Sequence, residues 1–178
     1  NKIIDLGFDM QRMPKHIAVI MDGNGRWAKK QGFFSTIKGH ENGVTALREL
    51  TTSTAELGIP YLTVYAFSTE NWNRPKTEIN ALMSLLVSTL KNELPILQQN
   101  KIRLNAIGNL STLPKKAFAE LTDVMDETKH NSHLVLTLAL SYSSKSEILR
   151  AVQNIAIDAK NGLVEPDKID EKLFEQYL

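Results

Sequence analysis

Ile17-Ala18-Val19-Ile20-Met21, closed at once by Asp22-Gly23-Asn24-Gly25, is a continuous apolar run that stops in a turn. An uninterrupted run of this length, as opposed to an alternation, is the pattern of a buried strand. A second run of the kind, Tyr61-Leu62-Thr63-Val64-Tyr65-Ala66-Phe67, lies downstream. Between them Val44, Leu47, Leu50 and Leu57 fall near one face of a helix that Gly58 is placed to end. The pattern is therefore β-α-β. After Pro75, residues Ile79, Leu82, Met83, Leu86, Leu90 and Leu97 recur at three and four, the strongest helix signal in the chain, and Pro95 is expected to end or kink that helix. Residues 102–107 read as a third strand, 114–128 as a helix and 134–140 as a fourth strand. Ile148, Ala151, Val152, Ile155 and Ala156 mark a further helix with Gly162 at its C-terminal cap, and residues 170–178 a short last one. Strands separated by helices imply an α/β fold with a mostly parallel central sheet flanked by helices, because a parallel crossover needs an intervening element.

The 178 residues, 42% of them apolar, suffice for a single domain over 1–178 with its own core. Lys and Arg number 21 against 20 Asp and Glu, and the formal net charge of +1 argues against nucleic acid as the partner. The absence of cysteine removes disulfides, thiol catalysis and thiolate metal ligands, and fits a cytoplasmic location. Any metal would need oxygen or imidazole ligands. No apolar run approaches the length of a membrane span and the N-terminus lacks a signal-peptide pattern, so a soluble protein is expected.

Ligands of parallel sheets collect at the carboxyl ends of the strands, and two polar clusters fall there: residues 22–27 after the first strand and 68–75 after the second. In Asp22-Gly23-Asn24-Gly25-Arg26-Trp27 the glycines let the backbone turn tightly and aim N–H groups outward before a helix. Such a nest, with the helix dipole and the Arg26 fork, suits a diphosphate. Asp22 would oppose an anion there unless a divalent cation lay between them, and magnesium takes carboxylate and phosphate oxygens while keeping water. Taken alone, Gly-Asn-Gly is also an ordinary strand-to-helix turn with Asp22 as cap. It is not a Walker A loop, because the Gly-Lys-Ser/Thr ending is missing.

Phe67-Ser68-Thr69-Glu70-Asn71-Trp72-Asn73-Arg74-Pro75 packs a hydroxyl, a carboxylate, amides, a guanidinium and an indole into one connection. By themselves Glu70 and Arg74 also read as a surface ion pair, and Trp72 as a ring folded back on the core. His40, after Gly39, reads either as a structural hydrogen-bonding residue or as a phosphate contact.

Met21-Asp22-Gly23-Asn24-Gly25-Arg26-Trp27-Ala28, Gly39-His40 with Gly43, and the stretch Tyr65-Ala66 followed by residues 67–75 closely resemble, in this order, the signature blocks of undecaprenyl diphosphate synthases, most of all the bacterial ones. The likeness runs from about Pro14 to the end of the chain. It implies a magnesium-dependent cis-prenyltransferase that condenses isopentenyl diphosphate repeatedly onto farnesyl diphosphate, giving a long polyprenyl (undecaprenyl) diphosphate that carries cell-wall glycan precursors. By matching position, Asp22 is the implied metal ligand and assists departure of the allylic diphosphate. Gly23, Asn24, Gly25 and Arg26 hold that diphosphate, beside Trp27, and His40 is a phosphate contact. Phe67, Ser68, Asn71 and Arg74 surround the condensing ends, with Asn71 taking part in proton removal. Trp72 belongs to a segment that closes on substrate and Glu70 supports it. A homodimer, a hydrophobic tunnel for the growing tail and transient membrane association during product release are implied as well. The tunnel is expected along the sheet and the helix carrying Ile79 and Leu90, with Leu134 near its far end or simply in the core.

Three departures from the family pattern stand out. The chain ends at Leu178, before the family's C-terminal block of arginines, serine and glutamate, so it is expected to be incomplete relative to the family. Between Gln31 and His40 the spacing is longer, and Ser35 or Thr36 stands where the family has an arginine; Lys38 restores the charge without a planar fork. Ser141-Tyr142-Ser143-Ser144-Lys145 replaces the usual Asn-Tyr-Gly-Gly-Arg. A catalytically weak partner subunit of a prenyltransferase is the competing reading, against which the retained Asp22, Asn71 and Arg74 weigh.

Overall fold

The two apolar runs become strands β1 (His16–Ile20) and β2 (Tyr61–Ser68), joined by helices α1 (Asn24–Lys30) and α2 (Thr36–Glu56). The computed structural model describes residues 9, 12–33 and 36–178, the side chains of 36 and 37 excepted. A 3-10 turn over Thr69–Asn73 leads into α3 (Lys76–Gln99), followed by β3 (Ile102–Ile107), a 3-10 turn at Leu110–Thr112, α4 (Lys115–Thr128) and β4 (Leu134–Tyr142). Helix α5 (Ser144–Lys160), a 3-10 turn at Pro166–Lys168 and α6 (Glu171–Glu175) complete the order. The strands make one four-stranded parallel sheet in the order β1-β2-β4-β3. Ile17 stands opposite Leu62 and Val19 opposite Val64, while Leu104 stands opposite Leu136.

Position in the sheet explains where burial departs from the sequence reading. Central β4 is buried along most of its length, as a continuous apolar run should be. Strand β1 lies at the edge, so only Ile17 and Val19 pack on the core while Ile20 stays 75% exposed. The run of five apolar residues there is half-buried. Pro95 does not end α3, which continues to Gln99. Pro95 is exposed, so the Lys91 carbonyl that it leaves without an N–H partner lies on the watery side, and buried Leu97 holds the next turn.

The core joins Leu62 and Val64 of β2 to Met83, Val87 and Leu90 of α3, Leu121 and Val124 of α4, and Leu134 and Leu138 of β4. Each of the fully buried aliphatic side chains contributes about 1.5–3 kcal/mol of transfer free energy. Contacts divide the chain into a unit ending at Ser141 and a second unit over residues 142–178. Within the second, the Tyr177 hydroxyl donates to Asp158 Oδ2 at 2.6 Å, and Asp170 caps α6 by accepting from the Leu173 N–H at 2.8 Å. Among the described residues no helix is long and apolar enough to cross a membrane.

Candidate active site

Gly23 sits at the N-cap of α1 with φ 89°, a left-handed conformation that strains any residue bearing a Cβ. That turn reverses the chain directly after β1 and leaves the first-turn N–H groups of residues 24–26 without intrahelical partners. The turn is held from below by α2. A Cβ on Gly39 would lie 2.1 Å from the Asn24 carbonyl oxygen, and one on Gly43 2.7 Å from Asn24 Nδ2. Two glycines one helical turn apart therefore allow α2 to pass close beneath Asn24. Arg26 Nη2 donates to Asp22 Oδ2 at 2.8 Å, with both side chains more than three-quarters exposed. Water screens such a pair, so it opens at little cost when a stronger ligand for either group arrives.

At the end of β2 the Asn71 Oδ1 accepts from the Ser68 backbone N–H at 3.0 Å, which orients the amide and leaves its NH₂ as the available donor. The Trp72 indole stands edge-on to Phe67, ring centroids 5.0 Å apart, and its N–H donates to Ser141 Oγ at 2.9 Å. Thr112 Oγ1 donates to the same oxygen at 2.8 Å. Arg74 Nη1 meets Glu78 Oε1 at 3.1 Å, and His40 Nε2 lies 3.9 Å from that oxygen. Burial pushes the His40 pKa below its ordinary value, the Arg74 charge pushes it further, and Glu78 partly opposes both. His40 is thus neutral near pH 7. Burial and, second to it, the Glu70 charge raise the Tyr65 hydroxyl above its usual range.

Both strand ends open on one cavity of about 440 Å³. Asp22, Gly23, Asn24, Gly25, Arg26, His40, Phe67, Asn71 and Arg74 all line it, nine of the residues singled out from the sequence. Deeper in, the walls become apolar, with Leu82, Leu86 and Leu90 of α3 and Leu138 and Leu140 of β4. Trp27, Ser68, Glu70 and Trp72 are not on this wall; Trp27 instead tilts against Phe33, centroids 6.1 Å apart. Leu134 is fully buried in the core and lines neither this cavity nor its smaller neighbour.

A family model described as "Putative undecaprenyl diphosphate synthase" matches residues 20–178. The chain is 47% identical over 167 residues to an isoprenyl transferase of Clostridium perfringens, covering 94% of this chain and 66% of that one. It is 49% identical over 170 residues to an isoprenyl transferase of Heliobacterium mobile, covering 96% and 65%. The chain belongs to this family. Its fold is also that of the lavandulyl diphosphate synthase of Lavandula x intermedia, solved in complex with dimethylallyl diphosphate, with a TM-score of 0.88 at 34% identity over 93% of this chain and 70% of that one. The chain thus spans just under two thirds of the length of the two isoprenyl transferases.

The structure gives two further residues contacts that the sequence pattern did not assign to them. Glu78 joins His40 to Arg74, and its signal was available: an acid four residues after Arg74 in the first turn of a helix. Ser141, one of the departures from the family pattern, is buried with φ 49° and receives the Trp72 and Thr112 donors. Lys38, the candidate replacement for the family arginine, pairs with Glu41 at 2.7 Å and is not on the cavity wall. Ser35 lies outside the described residues, as does the side chain of Thr36. Among the described residues no group of three or more His, Asp or Glu converges to hold a metal unaided. One exposed carboxylate, Asp22, beside a turn whose first N–H groups lack intrahelical partners nevertheless suits magnesium, which draws its other ligands from phosphate and water.

Proposed function

We propose that this chain carries the allylic-diphosphate site and prenyl channel of a magnesium-dependent cis-prenyltransferase, which extends farnesyl diphosphate with isopentenyl diphosphate units to a long polyprenyl diphosphate. The observation that supports it most is the division of one cavity: anion-binding groups from the ends of β1 and β2 at its exposed part, and leucines of α3 and β4 deeper in. That is the partition of a prenyl diphosphate itself.

The diphosphate is held by the N–H groups of residues 24–26 and by Arg26, once Arg26 releases Asp22. Asp22, so freed, is the residue that would hold magnesium, and the bound ion would supply positive charge to the departing oxygens. As the C–O bond of the allylic diphosphate breaks, the isopentenyl double bond attacks the allylic carbon, and the proton lost from the isopentenyl unit passes to an oxygen of the departing diphosphate. The apolar wall keeps water from the cationic carbon. Arg74 and neutral His40 donate to phosphate oxygens. Asn71, oriented by the Ser68 N–H on its carbonyl, holds a diphosphate oxygen through its NH₂ and so takes part in proton removal by positioning the group that receives the proton. The remaining charge on the second substrate, a homodimeric assembly and membrane contact during release complete the family reading.

The test is incorporation of labelled isopentenyl diphosphate into long products by the full-length natural protein with farnesyl diphosphate and magnesium. Asp22→Ala is expected to lower incorporation by about a hundredfold or more, the scale of losing one preorganised charge at a departing oxyanion. Product formation that is indifferent to magnesium and to Asp22→Ala would overturn the proposal. No incorporation, with diphosphate binding retained, would favour a partner subunit.

A further inference from the structure

The carboxyl ends of β2, β3 and β4 are tied together at one hydroxyl. Ser141, only 2% exposed near the end of β4, accepts the Trp72 indole N–H at 2.9 Å, and Thr112 Oγ1 from the turn after β3 meets the same oxygen at 2.8 Å. Thr112 Oγ1 also reaches the Asn109 carbonyl at 2.7 Å, and the Asn109 N–H donates to the Ser141 carbonyl at 3.2 Å. The loop after β3 therefore grips Ser141 by backbone and side chain together. Ser141 has φ 49°, a left-handed conformation that a serine keeps only where its surroundings impose it. The tie reaches the site through Trp72. This residue lies in the 3-10 turn over Thr69–Asn73, between Asn71 and Arg74, which both line the cavity while Trp72 does not. The Ser68 N–H on Asn71 Oδ1, and the Arg74 N–H on the Asn71 carbonyl at 3.2 Å, fix the shape of that turn. They do not fix its place over the sheet. Trp72 does, with its ring edge-on to buried Phe67 and its N–H bonded to β4. Apolar contact is non-directional and tolerates sliding, whereas an N–H bond to a clamped residue does not.

We propose that Ser141 is a positioning residue of the site: it holds the Trp72 indole at the end of β4 and thereby sets where the turn over residues 69–73 presents Asn71 and Arg74 to the cavity. The inference rests on the reading above that these two side chains meet diphosphate oxygens. Such a donor works over about half an ångström of distance and a limited range of angle, so a turn that is free to shift weakens both contacts at once. Loss of the Ser141 hydroxyl is then felt in anion binding as well as in stability.

The experiment measures the dissociation constant of inorganic diphosphate, with magnesium, for the full-length natural protein and for its Ser141→Ala, Ser141→Asn, Trp72→Phe and Ser141→Ala/Trp72→Phe variants. All are compared at a temperature where thermal unfolding shows each to be folded. Ser141→Ala and Trp72→Phe should each weaken binding about tenfold, and the double variant no more than either alone, because both remove the same bond. Ser141→Asn enters the left-handed region more readily and offers a carbonyl to the indole, so it should bind as the natural protein does. The Trp72 indole N–H resonance, assigned by its absence from Trp72→Phe, should move upfield in Ser141→Ala and return in Ser141→Asn. Natural affinity in Ser141→Ala, or losses that multiply in the double variant, would overturn the positioning role. A natural protein that binds no diphosphate would overturn it together with the reading on which it rests.

Discussion

His40 shows how a single half-buried group responds to its neighbours. Burial and the Arg74 charge hold its folded pKa below the ordinary 6.5, and Glu78 pulls the other way. Arg74→Gln should therefore raise the His40 pKa and Glu78→Gln should lower it, as followed by NMR titration of the imidazole. Because the folded pKa lies below the unfolded one, the unfolded chain binds more protons between the two values. Stability is then complete above about 6.5 and falls as pH drops through that window. His40→Gln should flatten this slope in thermal unfolding, while binding of inorganic diphosphate should raise the His40 pKa, since anionic oxygens favour the imidazolium. The Asp22 and Arg26 charges line the same cavity and will shape the same titration. Ser141 is the other residue whose role is local. Ser141→Ala removes the acceptor of Trp72 Nε1 and Thr112 Oγ1 and should cost about 1–3 kcal/mol. Ser141→Asn should be tolerated, because asparagine enters the left-handed region more readily and offers an oxygen to the indole.

The α1–α2 contact is where elements, more than single side chains, make the site. Gly39→Ala drives a methyl to 2.1 Å from the Asn24 carbonyl, which belongs to backbone and cannot rotate away. The helices must separate, at about 1–3 kcal/mol or more, and the turn proposed to hold the diphosphate moves with them. Thermal unfolding should record that loss together with weakened diphosphate binding. Gly43→Ala meets the tip of the Asn24 side chain, which can swing, and should cost less. The sequence displayed both glycines, yet their purpose depends on the distance between two helices, which periodicity does not report. Strand order has the same character: the run at residues 17–21 marks a strand, but only its place at the sheet edge makes it half-buried. Helix α3 outlasted Pro95 because that proline faces outward and Leu97 anchors the turn beyond it. All four strands and the major helices were legible because their apolar patterns are local, as was the pairing of Glu78 with Arg74 four residues before it; the approach of Glu78 to His40 and the contacts of Ser141 with Trp72 and Thr112 were not, since folding brings those residues together.

Across the whole molecule, the meeting of the two polar clusters on one cavity was inferable from parallel strands ending at one edge. The depth of the cavity was not readable, because its wall is assembled from α2, α3 and β4; of the two readings of Leu134, the structure bears out the core one. The central claim is that one cavity holds a prenyl diphosphate with its charged head at the end of β1 and its tail among the leucines of α3. It is tested most directly by a crystal structure of the full-length natural protein with magnesium and a non-reactive farnesyl diphosphate analogue. The account predicts the diphosphate on the N–H groups of residues 24–26 and on Arg26, the metal on Asp22, and the tail running past Leu86 and Leu90. A diphosphate bound elsewhere, or a tail lying outside this cavity, would contradict it.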